Sequence, residues 1–259
     1  MTMSMSFSSD KSDALESGLL PPAADKAEAE TPSHELRRKL IAEFTGTAIL
    51  AACISLQAGA IAIGFCLTAL VFSFGHISGG MFNPAVSLAV FLRGRISLKL
   101  AGMYSLAQVV GAFVGGLFTM AISKSVNAPE VVMPGFPMPN KDLIGKNPLL
   151  ATFLCEFLGS FVLATVVLHV ATTAANENNS FYGIAIGFTV GQGAFTIGGI
   201  SGGAFNPAIG TALPLVAGHP EWSILMYWVG PMLGAALSAG VFRLTAAPAD
   251  LKDSRIHVN

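Results

Sequence analysis

Apolar positions dominate the chain from residue 38 to residue 244, and they come in long runs rather than alternating with polar ones. Six runs, near 38–58, 60–78, 99–122, 148–171, 181–200 and 222–244, are long enough to cross about 30 Å of hydrocarbon as helices. Two shorter apolar stretches, 84–92 and 207–217, hold about ten residues each and cannot span, so they read as re-entrant segments. The pattern therefore predicts an all-α membrane protein: six transmembrane helices plus two re-entrant half-helices.

The flanks differ. Residues 1–36 are rich in Ser, Ala, Pro, Asp and Glu. Such a tail cannot bury enough apolar surface to order itself. It also lacks the apolar core of a cleavable signal peptide. The expected organisation is a disordered tail at 1–36, a membrane domain at 37–245 and a second tail at 246–259. Within the membrane domain, halves 37–122 and 148–245 are joined by a loop at 123–147. Regulation through the serines of the first tail stays open.

Basic residues set the orientation. Arg37, Arg38 and Lys39 precede the first span, Arg93, Arg95 and Lys99 lie between the second and third, and Arg243, Lys252 and Arg255 follow the sixth. The other side has only Lys124, Lys141 and Lys146. This asymmetry puts both termini in the cytoplasm. The glycosylation sequon Asn178-Asn-Ser180 then falls on the cytoplasmic side and is discounted.

Composition supports a membrane chain. Charged residues make up 11% of the sequence, against about 25% in soluble domains. The net charge of −1 argues against a nucleic-acid partner. The three cysteines (Cys53, Cys66 and Cys155) sit inside apolar runs and form no disulfide framework. No nucleophile–base set and no metal-ligand cluster appears, so an enzyme is not expected.

The two half-helices begin with the same words. Gly75-His-Ile-Ser-Gly-Gly-Met-Phe-Asn-Pro-Ala-Val86 returns as Gly198-Gly-Ile-Ser-Gly-Gly-Ala-Phe-Asn-Pro-Ala-Ile209, with Asn83 matched to Asn206 (206 − 83 = 123). Ile61-Ala-Ile-Gly-Phe65 returns as Ile184-Ala-Ile-Gly-Phe188 at the same offset. Glu43-Phe-Thr-Gly-Thr47 in the first span has its counterpart, Glu156-Phe-Leu-Gly-Ser160, in the fourth. Three spans separate the copies, so the halves have opposite topology: an inverted repeat.

The motif has a physical reason. Pro84 and Pro207 suit the first turn of a helix, having no N–H to satisfy and a fixed φ. Asn83 and Asn206 then occupy the N-cap that asparagine favours, ahead of Ala85 and Ala208. Ser78–Gly80 and Ser201–Gly203 let the backbone turn at little steric cost. Each half-helix starts mid-membrane with the positive end of its dipole, and opposite topology brings the two ends together. Irregular backbone at that depth persists only where it lines water or packs in protein. Loop carbonyls and the Asn amides should therefore face a channel. Two positive half-dipoles would repel cations and protons while neutral molecules pass in file.

Other residues stand out less. Glu43 and Glu156 are intramembrane carboxylates, which by default suggest an ion or proton path. His76, on the loop before Asn83, can bond loop carbonyls or act as a pH-sensitive gate. Gln108 reads as a structural hydrogen bonder. Phe72, Phe74, Phe82 and Phe205 read as packing. The glycines and alanines at 111–116 and 234–236 read as close helix contacts.

Taken together, the two Asn-Pro-Ala copies, Ala42-Glu-Phe-Thr-Gly-Thr47, Ala107-Gln-Val-Val-Gly-Ala112, Glu156-Phe-Leu-Gly159 and Trp228-Val-Gly-Pro231 resemble the aquaporin, or major intrinsic protein, family over about residues 38–244. The resemblance implies an aquaporin-like fold with one pore per protomer, a homotetramer in the lipid bilayer, and no cofactor or catalytic residue. It also gives Glu43 and Glu156 a supporting role, accepting hydrogen bonds from the re-entrant loops.

Family spacing places a selectivity filter at Ile63, Ala194, Gly203 and Ile209. An arginine usual after the second motif is replaced by Ile209. Losing it removes a fixed cation and a fork of donors. The filter should then be wider and more apolar than that of a strict water channel, admitting water plus small neutral solutes such as glycerol, urea, ammonia or peroxide. Apolar side chains could instead fill the gap and gate by dewetting, giving a strict water channel with a tight or gated filter. Gly210 and the Tyr227-Trp228 pair are similar to the water-channel branch, and the small-residue loop is similar to vacuolar-type plant members. Plasma membrane and a vacuole-like internal membrane both remain open. A structural junction protein with a closed pore is the alternative of another class. A carrier is disfavoured because neither half-helix start bears an ion-coupling carboxylate.

Overall fold

The computed structural model describes residues 31–126, 136–140, 142–143 and 147–252. The chain divides into two compact units, Met1–Leu36 and Arg37–Asn259, and the architecture below belongs to the second. Most of the expected first tail, the end of the second, and Lys141 and Lys146 lie outside the described residues.

Among the described residues eight principal helices carry the fold: α1 Pro32–Ser55, α2 Ala60–Ser78, α3 Pro84–Leu92, α4 Leu98–Ser125, α5 Pro148–Thr172, α6 Tyr182–Thr196, α7 Pro207–Val216 and α8 Ser223–Thr245. Of these, α2, α4, α5 and α8 are long and apolar enough to cross a membrane on their own composition. Helix α1 begins before its apolar run, with Pro32 in its first turn, a position proline suits. Helix α6 ends at Thr196, where the sequence pattern continues to 200. The Gly198-Gly199 pair, poor in helix propensity, leaves only a separate turn at Gly198–Ser201. Beyond α8, part of the expected second tail is ordered: Pro248–Lys252 is helical, and the Asp250 carboxylate accepts a 2.8 Å hydrogen bond from Ala174 N.

Close helix contacts repeat between the halves. A Cβ on Gly111 of α4 would lie 2.4 Å from the Phe44 carbonyl oxygen of α1, and one on Gly234 of α8 would lie 2.3 Å from that of Phe157 in α5. Phe44 and Gly111 stand in the first half where Phe157 and Gly234 stand in the second. Helices α2 and α6 cross at Gly64 and Gly187, where a Cβ on Gly187 would meet the Gly64 carbonyl at 2.4 Å. Lipid offers no hydrophobic drive between helices, so such backbone approach supplies the association through van der Waals contact. Large apolar side chains such as Leu106, Phe118, Leu154 and Phe188 point outward and are exposed. On a soluble protein these would be aggregation liabilities; around an integral membrane protein they meet lipid.

Candidate functional site

Helices α3 and α7 start from mirrored loops. Gly79 and Gly80 (φ 95 and 60) and Gly202 and Gly203 (φ 92 and 62) adopt left-handed backbone, which glycine tolerates without penalty. Phe82 and Phe205 follow at φ 48 and 46, a region costly for a bulky residue. Both rings are fully buried, and each fills the space opposite a glycine. A Cβ on Gly46 would sit 2.1 Å from the Phe82 ring, and one on Gly159 2.2 Å from the Phe205 ring. The glycine three residues after each glutamate is thus the seat of a phenylalanine.

The glutamates tie the same loops. Glu43 accepts from Ser78 Oγ (2.6 Å), Met81 N (3.0 Å), Phe82 N (2.7 Å) and Gln108 Nε2 (2.8 Å). Glu156 accepts from Ser201 Oγ (2.7 Å), Ala204 N (3.1 Å) and Phe205 N (2.6 Å). Neither carboxylate lines the central cavity. One tyrosine completes each support: the Tyr104 hydroxyl donates to the Ser78 carbonyl (2.9 Å), and the Tyr227 hydroxyl donates to that of Ser201. Sequence reasoning missed this role for both. The signal was available, because Tyr104 and Tyr227 stand at the same offset as the two asparagines.

At each half-helix start the Asn side chain caps its own helix. Asn83 Oδ1 accepts from Ala85 N at 2.9 Å, and Asn206 Oδ1 from Ala208 N at 3.0 Å. Each amide also reaches across to the other half. Asn83 Nδ2 donates to the Phe205 carbonyl (2.7 Å) and Asn206 Nδ2 to the Phe82 carbonyl (2.9 Å). The sequence reading turned these amides and loop carbonyls toward a channel. Each amide gives one hydrogen to this exchange and each Phe carbonyl accepts one bond, leaving one N–H per asparagine, and the loop residues 79–82 and 202–204 line the cavity described next.

Beside this junction lies a cavity of about 70 Å³. Asn83 and Asn206 line it, together with Ile63 from α2, Ala194 from α6, Gly203 from the second loop and Ile209 from α7. Leu50, Leu67, Leu163 and Val167 extend an apolar wall. Pro84, Pro207, Ala85 and Ala208 are buried behind it in the first turns of α3 and α7. His76 is exposed near the end of α2 and does not line the cavity. Among the described residues no cluster of metal-ligating side chains occurs.

A membrane-embedded bundle whose two half-helices meet head to head beside a small cavity is the architecture of a channel. The major intrinsic protein family model matches residues 29–242. Among curated relatives, Aquaporin-B of Dictyostelium discoideum is 33% identical over 70% of this chain and 68% of its own length. Aquaporin NIP6-1 of Arabidopsis thaliana is 31% identical over 93% of this chain and 79% of its own. The glycerol uptake facilitator protein-like 6 of Lactiplantibacillus plantarum is 31% identical over 78% and 95%, respectively. The fold is also that of the aquaglyceroporin from Plasmodium falciparum, with a TM-score of 0.71 at 19% identity over 83% of this chain and 98% of that one. The chain belongs to the major intrinsic protein family, whose members are membrane channels and not enzymes.

Proposed function

We propose that this chain is a passive channel for water and small neutral solutes such as glycerol, urea, ammonia or peroxide, and that it holds back ions and protons. The observation that carries the reading is convergence. Four residues from three helices and a loop (Ile63, Ala194, Gly203 and Ile209) line one cavity with the paired asparagines. They act as the selectivity filter, and none of them carries a charge or an aromatic ring. Size and the cost of stripping water from a solute are then the controls. The Asn83 and Asn206 amides each retain an N–H that can donate to a passing oxygen. The positive ends of α3 and α7 meet there and oppose cations. Glu43 and Glu156 hold the loops, with both acceptor oxygens committed to loop donors. The working assembly is a homotetramer with both termini cytoplasmic.

The cavity also favours a second reading, a strict water channel. A volume of about 70 Å³ takes only a few waters, and an apolar wall around so small a space can exclude glycerol or gate by dewetting.

Stopped-flow measurements on proteoliposomes decide between the two. Fast osmotic water flux with glycerol or urea uptake, reduced in Ile209→Arg, supports the open filter. Water flux without uptake of either solute supports the tight one. Folded tetramers with no flux of any kind overturn both and leave a closed-pore junction protein.

A further inference from the structure

We propose that the short segment at 136–140, within the loop between α4 and α5, is a fixed wall of the permeation path. In this assignment Pro137 is a specificity-determining residue and Phe136 is the residue that positions it. Pro137 is buried and lines the same cavity as Gly203, Ala194 and Ile209. It comes from neither repeat half, so the duplicated motifs give no hint of it.

Three anchors fix the segment. First, its backbone lies directly on the Gly202 turn: a Cβ at Gly202 would sit 2.4 Å from Met138 N and 2.7 Å from Pro137 Cα. Second, Asn140 N donates to the Ile200 carbonyl at 2.9 Å, tying the strap to the turn that leads into the second half-helix. Third, Phe136 is held on two sides. Its ring stacks on His219 at 4.7 Å between centroids with 24° between planes, and it packs against the buried cluster of Ala51, Ile209 and Leu213. The residue next to Pro137 thus packs on the cluster that holds Ile209, and both Ile209 and Pro137 are among the residues that line the cavity. A proline at that position offers a rigid carbon ring and no N–H, so it limits width without giving the solute a donor. Taking away the ring widens the mouth. Taking away Phe136 releases the strap and loosens the cluster that holds Ile209.

The permeability half of this inference rests on the channel reading above; the placement of Pro137 does not. The test uses full-length protein in proteoliposomes. In Pro137→Gly the glycerol-to-water permeability ratio rises roughly tenfold, the low end of what a methylene-sized gap does to discrimination in a snug apolar site. Phe136→Ala moves the ratio the same way, and Phe136→Tyr, which keeps the ring, restores the native ratio. A ratio unchanged in both Pro137→Gly and Phe136→Ala, with the proteins folded, overturns the proposal. Pro137→Cys supplies a second arm. The small neutral reagent methyl methanethiosulfonate labels it beyond the native thiols and cuts water flux. Labelling without loss of flux, or no labelling, overturns the placement. If the native protein conducts nothing, the channel reading fails on that result alone, and labelling at 137 still reports whether the residue faces water.

Discussion

Glu156→Gln isolates what the buried carboxylate does. The substitution keeps length and shape and changes one acceptor oxygen into a donor. Glu156 uses one oxygen for Ser201 Oγ and Ala204 N and the other for Phe205 N alone. The best glutamine rotamer keeps its carbonyl on the first pair and turns its NH₂ toward the Phe205 N–H, so one buried backbone donor is stranded. That costs about 1–3 kcal/mol, or a factor of roughly 5–150 in the population of correctly seated loop. Phe205 carries the carbonyl that holds Asn206's partner, Asn83, so the displaced loop disturbs both asparagines. Two readouts are expected to fall together: thermal stability of the purified protein and osmotic water permeability per reconstituted protein. Glu156→Asp, which withdraws the carboxylate by one methylene, should also weaken both. The equivalent Glu43→Gln differs in one respect. Gln108 can flip to present its oxygen to the new amide, but Ser87 Oγ must then turn its one hydrogen from the Asn83 carbonyl to that oxygen, so a second bond is lost besides the stranded Phe82 N–H. Glu43→Gln should therefore lose at least as much stability as Glu156→Gln. Native flux and native stability in Glu156→Gln would refute the assignment of this carboxylate as the brace of the loop.

Further outcomes follow from the same geometry. Gly159→Ala places a methyl 2.2 Å from the Phe205 ring and should lower stability by about 1–3 kcal/mol through overpacking. Gly102→Ala, where nothing lies within 4 Å, should be neutral or stabilising by up to about 1 kcal/mol; equal melting shifts in the two would contradict this account. Gly187→Ala puts a methyl 2.0 Å from Thr68 Oγ1 at the α2–α6 crossing, and its expression as folded protein should fall below that of Gly102→Ala in size-exclusion profiles. Asn206→Ala removes a helix cap worth about 0.5–2 kcal/mol along with the bond to the Phe82 carbonyl, so both melting temperature and water flux should drop. Tyr227→Phe loses one hydroxyl donor to the Ser201 carbonyl and should cost only about 0.5–1.5 kcal/mol in a denaturation assay, with the pore intact.

What the sequence disclosed was mostly what a local rule can carry. Runs of apolar residues marked the long helices, and Asn-Pro marked both half-helix starts, because capping and proline geometry act within a few residues. Internal duplication then did the work of a long-range restraint. It pairs Asn83 with Asn206 and Glu43 with Glu156, and the asparagines' offset of 123 also relates Tyr104 to Tyr227. Hydrogen bonds between residues far apart in sequence were not legible: that Asn83 spends a hydrogen on the Phe205 carbonyl depends on a meeting that no spacing rule encodes. The early end of α6 at Thr196 was hidden for another reason. Apolarity continues past the helix, and hydropathy does not register that two glycines have loosened the backbone. Pro137 belongs to no periodic run and to no repeat, so only the fold brings it to the cavity.

The exchanged bonds between the two loops have a consequence for how the chain is made. Phe82 and Asn83 are translated and delivered to the bilayer 123 residues before Asn206, and until then a carbonyl and an amide that belong in mutual contact have no mates at a depth where water is scarce. The first half can insert as helices, yet its centre is chemically unfinished. Biogenesis must therefore shelter that segment, by the translocon, by lipid headgroup water or by a loop held back toward the surface, and then close the junction late and in one step. A polypeptide cut in the loop between α4 and α5 should recover its centre only when both fragments share a membrane.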